Sequence, residues 1–220
     1  MGLFSRLSRR RVPPPPPEGV IADLHAAGFP VKDISELKNS KTRYDAAIPV
    51  LLDWLPRADG FTQDLIVMAL GRSWAKEALD PLLELFRAEP VPGDDRQELL
   101  RWQVGDSLSY LWTDRRFDDF AALAQDRRYG AARQMIVYGL WHFRRPEVVG
   151  ILAGLTEDPD VDGHALYALS KTRSEQARPY LEKALTDDRD WVRSAARSGL
   201  ARLDKARAAT TTDNDPEERP

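Results

Sequence analysis

A leucine preceded by a small residue returns along this chain at a nearly constant interval. Ala69-Leu70, Gly139-Leu140, Ala168-Leu169 and Gly199-Leu200 share the pattern, and Tyr110-Leu111 is a looser fifth member. Successive leucines lie 41, 29, 29 and 31 residues apart, and the long interval contains the turn-rich stretch 89–94. A period near thirty marks a unit that repeats in space, each copy too small to bury its own apolar face. The pairs sit in segments with helical spacing: Ile136, Gly139, Leu140 and Phe143; Ala165, Ala168 and Leu169; Val192, Ala196, Gly199, Leu200 and Leu203. A shorter apolar-periodic segment precedes each, at 48–55, 79–86, 117–124, 148–155 and 177–185. No alternating β-type segment is present. The pattern therefore predicts an all-α chain of about five stacked helix pairs, above the roughly three needed for a stable array.

Turn chemistry places the joints. Asp158-Pro159 reads as a helix N-cap with proline at the first helical position. The oxygens of 186–190 precede the helix opening at Trp191. Pro49, Pro81 and Pro179 fall in first helices, where an interior proline is expected to kink the rod. The small residue before each leucine lets neighbouring helices approach. Tyr110 breaks that rule, so the longest loop and a change of curvature are expected beside it.

The ends differ from the middle. Residues 1–17 carry four arginines (Arg6, Arg9, Arg10 and Arg11) and the run Pro13–Pro17, read as a disordered basic arm on a stiff polyproline spacer. Leu3, Phe4 and Leu7 would share a helical face, which leaves contact of residues 1–11 with an anionic membrane as an alternative. Residues 18–44, with Ile21, Leu24, Phe29, Ile34 and Leu37, read as a short helical cap. Residues 45–205 form the repeat domain and 206–220 a polar, disordered tail.

Composition narrows the chemistry. Cysteine is absent and only His25, His142 and His164 are present, which removes thiolate chemistry and argues against a multi-histidine metal centre. The chain carries a net charge of −3, and residues 18–203 hold 25 bases against 30 acids. A globally basic nucleic-acid binder is excluded. No apolar run approaches the ~20 residues of a membrane span. The missing export and membrane signals give a cytoplasmic expectation, and no cofactor is expected.

Residues 188–203, DRDWVRSAARSGLARL, resemble the second half of a HEAT-like repeat: an aspartate turn, Val192-Arg193, then an alanine-rich helix ending in leucine. Ala177-Arg178-Pro179-Tyr180-Leu181 is similar to the first half, and 128–165 resembles bacterial HEAT-repeat proteins of the kind that includes chromophore lyases. The resemblance covers about residues 45–205. It implies a right-handed α-solenoid whose second helices line the concave face. Asp162 stands where the repeat usually has the counterpart of Arg193, which argues against regular arginine–aspartate ladders between units.

Positions two before, two after and five after each leucine are expected to face the groove. They are Met68, Ser109, Tyr138, Tyr167 and Ser198; Arg72, Thr113, His142, Lys171 and Arg202; and Ala75, Arg116, Arg145, Ser174 and Lys205. Trp112 and Trp141 would border it. The candidate binding set is Tyr138, Trp141, His142, Arg145, Tyr167, Lys171 and Arg202. Residues 127–145 carry Arg127, Arg128, Arg133, Arg144 and Arg145 and no acid, while 117–126 carry three acids and no base. Two readings fit these bases: a groove for an acidic peptide or phosphate backbone, or cations at helix C-termini that offset the macrodipole.

No phosphate-binding glycine loop, Ser–His–Asp arrangement or HExxH helix occurs. His164 and Asp106 are expected two units apart, too distant for acid–base work, so no catalytic residue is assigned. The leading expectation is a non-enzymatic scaffold for a protein or acidic peptide. Nucleic-acid binding, resembling HEAT-like DNA glycosylases through Tyr138, Trp141 and Asp162, and a chromophore-lyase-like role are the alternatives.

Overall fold

The computed structural model describes residues 18–58, 60–89 and 93–213. The arm at 1–17 and the middle of the long loop at 90–92 lie outside the described residues. Among the described residues every regular element is helical. Helix α1 (Glu18–Ala26) and α2 (Ile34–Lys38) come first. Then α3 (Ile48–Trp54), α4 (Gly60–Leu70), α5 (Leu79–Arg87), α6 (Asp95–Leu111), α7 (Phe117–Gln125) and α8 (Gln134–Gly139) follow. The chain continues through α9 (Glu147–Leu155), α10 (Asp162–Thr172), α11 (Arg178–Lys183) and α12 (Asp190–Asp213).

Helices pair as α3/α4, α5/α6, α7/α8, α9/α10 and α11/α12, and each second helix packs on the next: α4 on α6, α6 on α8, α8 on α10, α10 on α12. The cap holds the open end, α1 on α3 and α2 on α4. Leu24 and Ile34 are fully buried there. The repeat leucines share one depth: Leu70, Leu111 and Leu140 are 0% exposed and Leu169 1%. Leu200 is only half-buried, since among the described residues no helix packs on the far side of α12. First helices touch one another less than second helices do. The layer of second helices is thus the tighter one.

That tightness has a side-chain cause. A Cβ on Gly139 would stand 3.5 Å from the Cβ of Ser109 on α6, and one on Gly199 would stand 3.0 Å from the Cα of Ser170 on α10. Gly71 makes the same approach to Ser107, at 3.0 Å from its Cα. The facing serines bond within the backbone: Ser107 Oγ donates to Val67 O at 2.9 Å and Ser170 Oγ to Tyr167 O at 2.6 Å. Glycine against serine thus forms the seams of α6 with α4 and α8 and of α10 with α12.

Arginines close the turns within units. Arg101, 3% exposed, donates to Phe86 O at 3.0 Å and Ala88 O at 2.7 Å, covering the end of α5. Arg133, 0% exposed, donates to Ala124 O at 3.0 Å, covering the end of α7. Carbonyls at a helix end have no intrahelical partner, so a buried cation there both bonds and offsets the dipole.

Arginine–aspartate pairs also link successive units, contrary to expectation. Arg96 grips both oxygens of Asp64 at 2.7 Å, Arg133 reaches Asp158 at 3.0 Å, and Arg189 reaches Asp162 at 2.6 Å. The ladder was invisible in sequence because its arginines share no register: Arg133 stands at the place equivalent to Arg193, whereas Arg189 and Arg96 come earlier in their units. Asp162 is the acid of the last rung.

Three further expectations change. Pro49 and Pro179 sit in the first turns of α3 and α11 and cause no kink, since an N–H there has no helical partner to lose. Asp158 caps a turn instead of a helix: its Oδ1 accepts from Asp160 N at 3.2 Å, and α10 starts at Asp162. Helix α12 runs on to Asp213, through the first part of the stretch 206–220 that composition read as disordered. Alanines and bases from 201 to 209 extend a helix already nucleated by packing.

Candidate functional site

The layer of second helices places the predicted residues in two separate clusters. On α8 and α10, Tyr138 and Tyr167 stack with centroids 4.9 Å apart, and Lys171 Nζ lies 4.8 Å from the Tyr167 ring. Burial, then the Tyr167 hydroxyl, pushes the Tyr138 phenol up to about 12. Burial opposes ionisation of Tyr167 as well, but its bonds to Tyr138 and Lys171 prevail and lower it. Asp106 on α6 belongs to the same surface: burial raises its carboxyl, and its charge in turn raises Tyr110, which is 53% exposed.

The second cluster lies at the edge where second helices end. His142 stacks against Trp141 at 3.9 Å and Trp112 at 5.0 Å, an imidazole held between two indoles. Burial lowers its pKa, so the neutral ring is the one held at neutral pH. Arg145 donates to Asp114 O at 3.2 Å and lies 5.5 Å from the Phe117 ring centre.

Several stripe positions face elsewhere. Ser109 is 5% exposed and Ala75 0%, both inside the seam. In α6 the exposed position is Tyr110, one residue later than the spacing predicted. Arg116 pairs with Asp80 and Asp119 on first helices, away from the second-helix layer. Arg127 and Arg133 pair with Asp158 and Arg128 with Asp126, at the opposite edge from His142. The run of five arginines is therefore not one basic surface. Capping of second helices explains several bases too: Arg202 donates to Ser170 O at 2.7 Å, and Lys76 to Leu111 O and Trp112 O at 3.3 Å.

What remains open is a groove of about 330 Å³ between α10 and α12, walled by Tyr167, Lys171, Trp191, Ser194, Ser198 and Arg202 among others. No carboxylate lines it. Residues 191, 194, 198 and 202 follow helical spacing, so one face of α12 forms a wall. Trp191 is 44% exposed and packs over Gly163, which has no Cβ to obstruct the ring. Trp191 was not among the groove positions named from the leucine spacing; the available signal was its place on the same face of α12 as Ser198 and Arg202.

His164 lies 5.4 Å from the Trp191 ring, and burial, with Arg189 beside it, lowers its pKa to about 4. The ordinary value is about 6.5. A depressed histidine binds fewer protons folded than unfolded, so its contribution is complete above about pH 6.5 and is lost as pH falls toward 4. Chemical unfolding of wild type and His164→Gln across that window should show a flatter pH profile for the variant, by on the order of 3 kcal/mol.

Tyr138, Trp141 and Asp162, the counterparts expected for a base-excising site, do not converge. Tyr138 stacks on Tyr167, Trp141 on His142, and Asp162 is held by Arg189 at 2.6 Å. Among the described residues no group of three or more His, Asp or Glu side chains is placed to hold a metal ion. No helix among them is long and apolar enough to cross a membrane.

Units α7/α8, α9/α10 and α11/α12 thus repeat one plan: a first helix packed on a second, and each second helix packed on the next. Residues 117–201 are HEAT repeats: they match the family model of that description. No curated protein matches the chain. The HEAT match runs from the start of α7 through the first half of α12. HEAT repeats are typical of protein-binding scaffolds.

Proposed function

We propose that this chain is a non-enzymatic scaffold that binds an acidic peptide segment of a partner protein in the groove between α10 and α12. The pairs before residue 117 continue the HEAT-like plan, and the stack winds in a right-handed sense with the groove on its concave side. The observation that carries the reading is the groove's wall chemistry. It combines a half-exposed tryptophan, two cations (Lys171 and Arg202) and two exposed serines with no carboxylate. Tryptophan, tyrosine and arginine are the side chains enriched in interface hot spots, and the serine hydroxyls add donors for carboxylates. Tyr138 extends the surface toward α8 through its stack on Tyr167.

Fluorescence anisotropy with a labelled peptide alternating glutamate and aromatic residues tests this. Trp191→Ala with Lys171→Gln should weaken binding by about 30-fold or more, the loss of one hot spot. Thermal unfolding should change little, since both side chains are partly exposed. Equal affinity in the double variant would remove the groove as the binding site. Tight duplex-DNA binding that falls steeply with salt would instead favour a nucleic-acid partner.

A further inference from the structure

A second depression opens at the edge of the stack, where the segment after α8 meets the segment after α10. It measures about 420 Å³. One part of its wall is polar, from Trp141, Arg144, Arg145, Ser174 and Gln176, and another is apolar, from Phe143 and Val148 among others. No carboxylate lines it; Glu147 begins α9 next to the wall but does not form it.

The polar wall is rich in unspent donors. The Trp141 indole N–H is buried and has no acceptor. An indole nitrogen only donates, so a chemical partner must bring an acceptor. Arg144 is exposed and makes no hydrogen bond or ion pair with any described residue. Arg145 spends one nitrogen on Asp114 O, at 3.2 Å. Two guanidinium groups, an indole N–H, a hydroxyl and an amide around one hollow call for an acceptor-rich group of negative charge. The apolar wall calls for a body that water solvates poorly.

We propose that this depression binds a small organic oxyanion, a carboxylate or phosphate head on an apolar body. The head meets Arg144 and Arg145, and the body rests against Pro146 and the Trp141 ring. This site is independent of the peptide groove, which shares no wall residue with it.

The test follows the tryptophan side-chain N–H signals of the ¹⁵N-labelled chain, with the Trp141 signal assigned by its absence in Trp141→Phe. Inorganic phosphate, phenyl phosphate and benzoate are titrated in turn. The expected result is a saturable shift of the Trp141 signal with at least one aryl anion, about tenfold weaker in Arg144→Gln, the loss of a charge-assisted bond. Phenyl phosphate and benzoate together decide which head is preferred. Arg144 is exposed, so its variant keeps the fold. Absence of a saturable shift with both aryl anions, or equal affinity in Arg144→Gln, overturns the proposal. Inorganic phosphate binding as tightly as phenyl phosphate overturns the apolar half of it. Trp191→Ala should leave these titrations unchanged, so the groove stands or falls separately.

Discussion

Replacing Arg133 by alanine will destabilise the fold by about 3–5 kcal/mol, the cost of breaking a buried ion pair from one side. The side chain is 0% exposed and its partner Asp158 3%. The guanidinium is also spent on Gly130 O at 2.9 Å and Ala124 O at 3.0 Å, so truncation strands two carbonyls and leaves Asp158 with Arg127, an exposed cation at 3.4 Å, as its one remaining cationic neighbour among the described residues of the turn. Urea unfolding followed by circular dichroism measures the loss. Arg133→Met should fare little better, because volume is restored but the charge of Asp158 is not. The double change Arg133→Met with Asp158→Leu should recover a large part of the loss, since an apolar pair needs no compensation. A double variant as unstable as Arg133→Ala would mean that the carbonyl caps, not the charge pair, carry the effect.

Adding one methyl group at the seam should be the next largest effect. Gly71→Ala places a Cβ 2.7 Å from Ser107 Oγ and 3.0 Å from Ser107 Cα; Gly199→Ala places one 2.9 Å from Leu181 Cδ1 and 3.0 Å from Ser170 Cα. A rotated hydroxyl relieves the first contact, but the backbone atoms yield only if a whole helix shifts. Each substitution should cost about 1–3 kcal/mol, the usual penalty for overpacking. Gly150→Ala is the control. Nothing lies within 4 Å of its added methyl, and it sits inside α9. There the same change should stabilise by about 0.5–1 kcal/mol by reducing the freedom of the unfolded chain. Thermal melts of the three variants side by side separate steric crowding from helix propensity.

The repeat was legible because burial leaves a periodic trace. Leu70, Leu111, Leu140 and Leu169 stand where the interval placed them, and the five first helices begin within a residue or two of their apolar segments. The polar architecture was not legible, since arginine pairing depends on which turns meet in space. Arg96 finds Asp64 and Arg189 finds Asp162 across some thirty residues. Neither bond follows a helical spacing. The surface was legible in part. Tyr138, Tyr167 and Lys171 meet as the spacing predicts, whereas α6 turns Tyr110 outward and buries Ser109, because the serine is the residue that fits against Gly139. Trp191 lies outside the positions two before, two after and five after the leucine, so the spacing did not name it. Only the missing side chain at Gly163 shows how it lies flat and stays half open.

The most direct test of the groove is an amide-shift map of the ¹⁵N-labelled chain during titration with the acidic peptide. Shifts gathered on Tyr167, Lys171, Trp191, Ser194, Ser198 and Arg202, fading through Tyr138, are the predicted result. Shifts confined to the arginine-rich turns at 126–133 and 187–190, with the groove face of α10 and α12 silent, would contradict it.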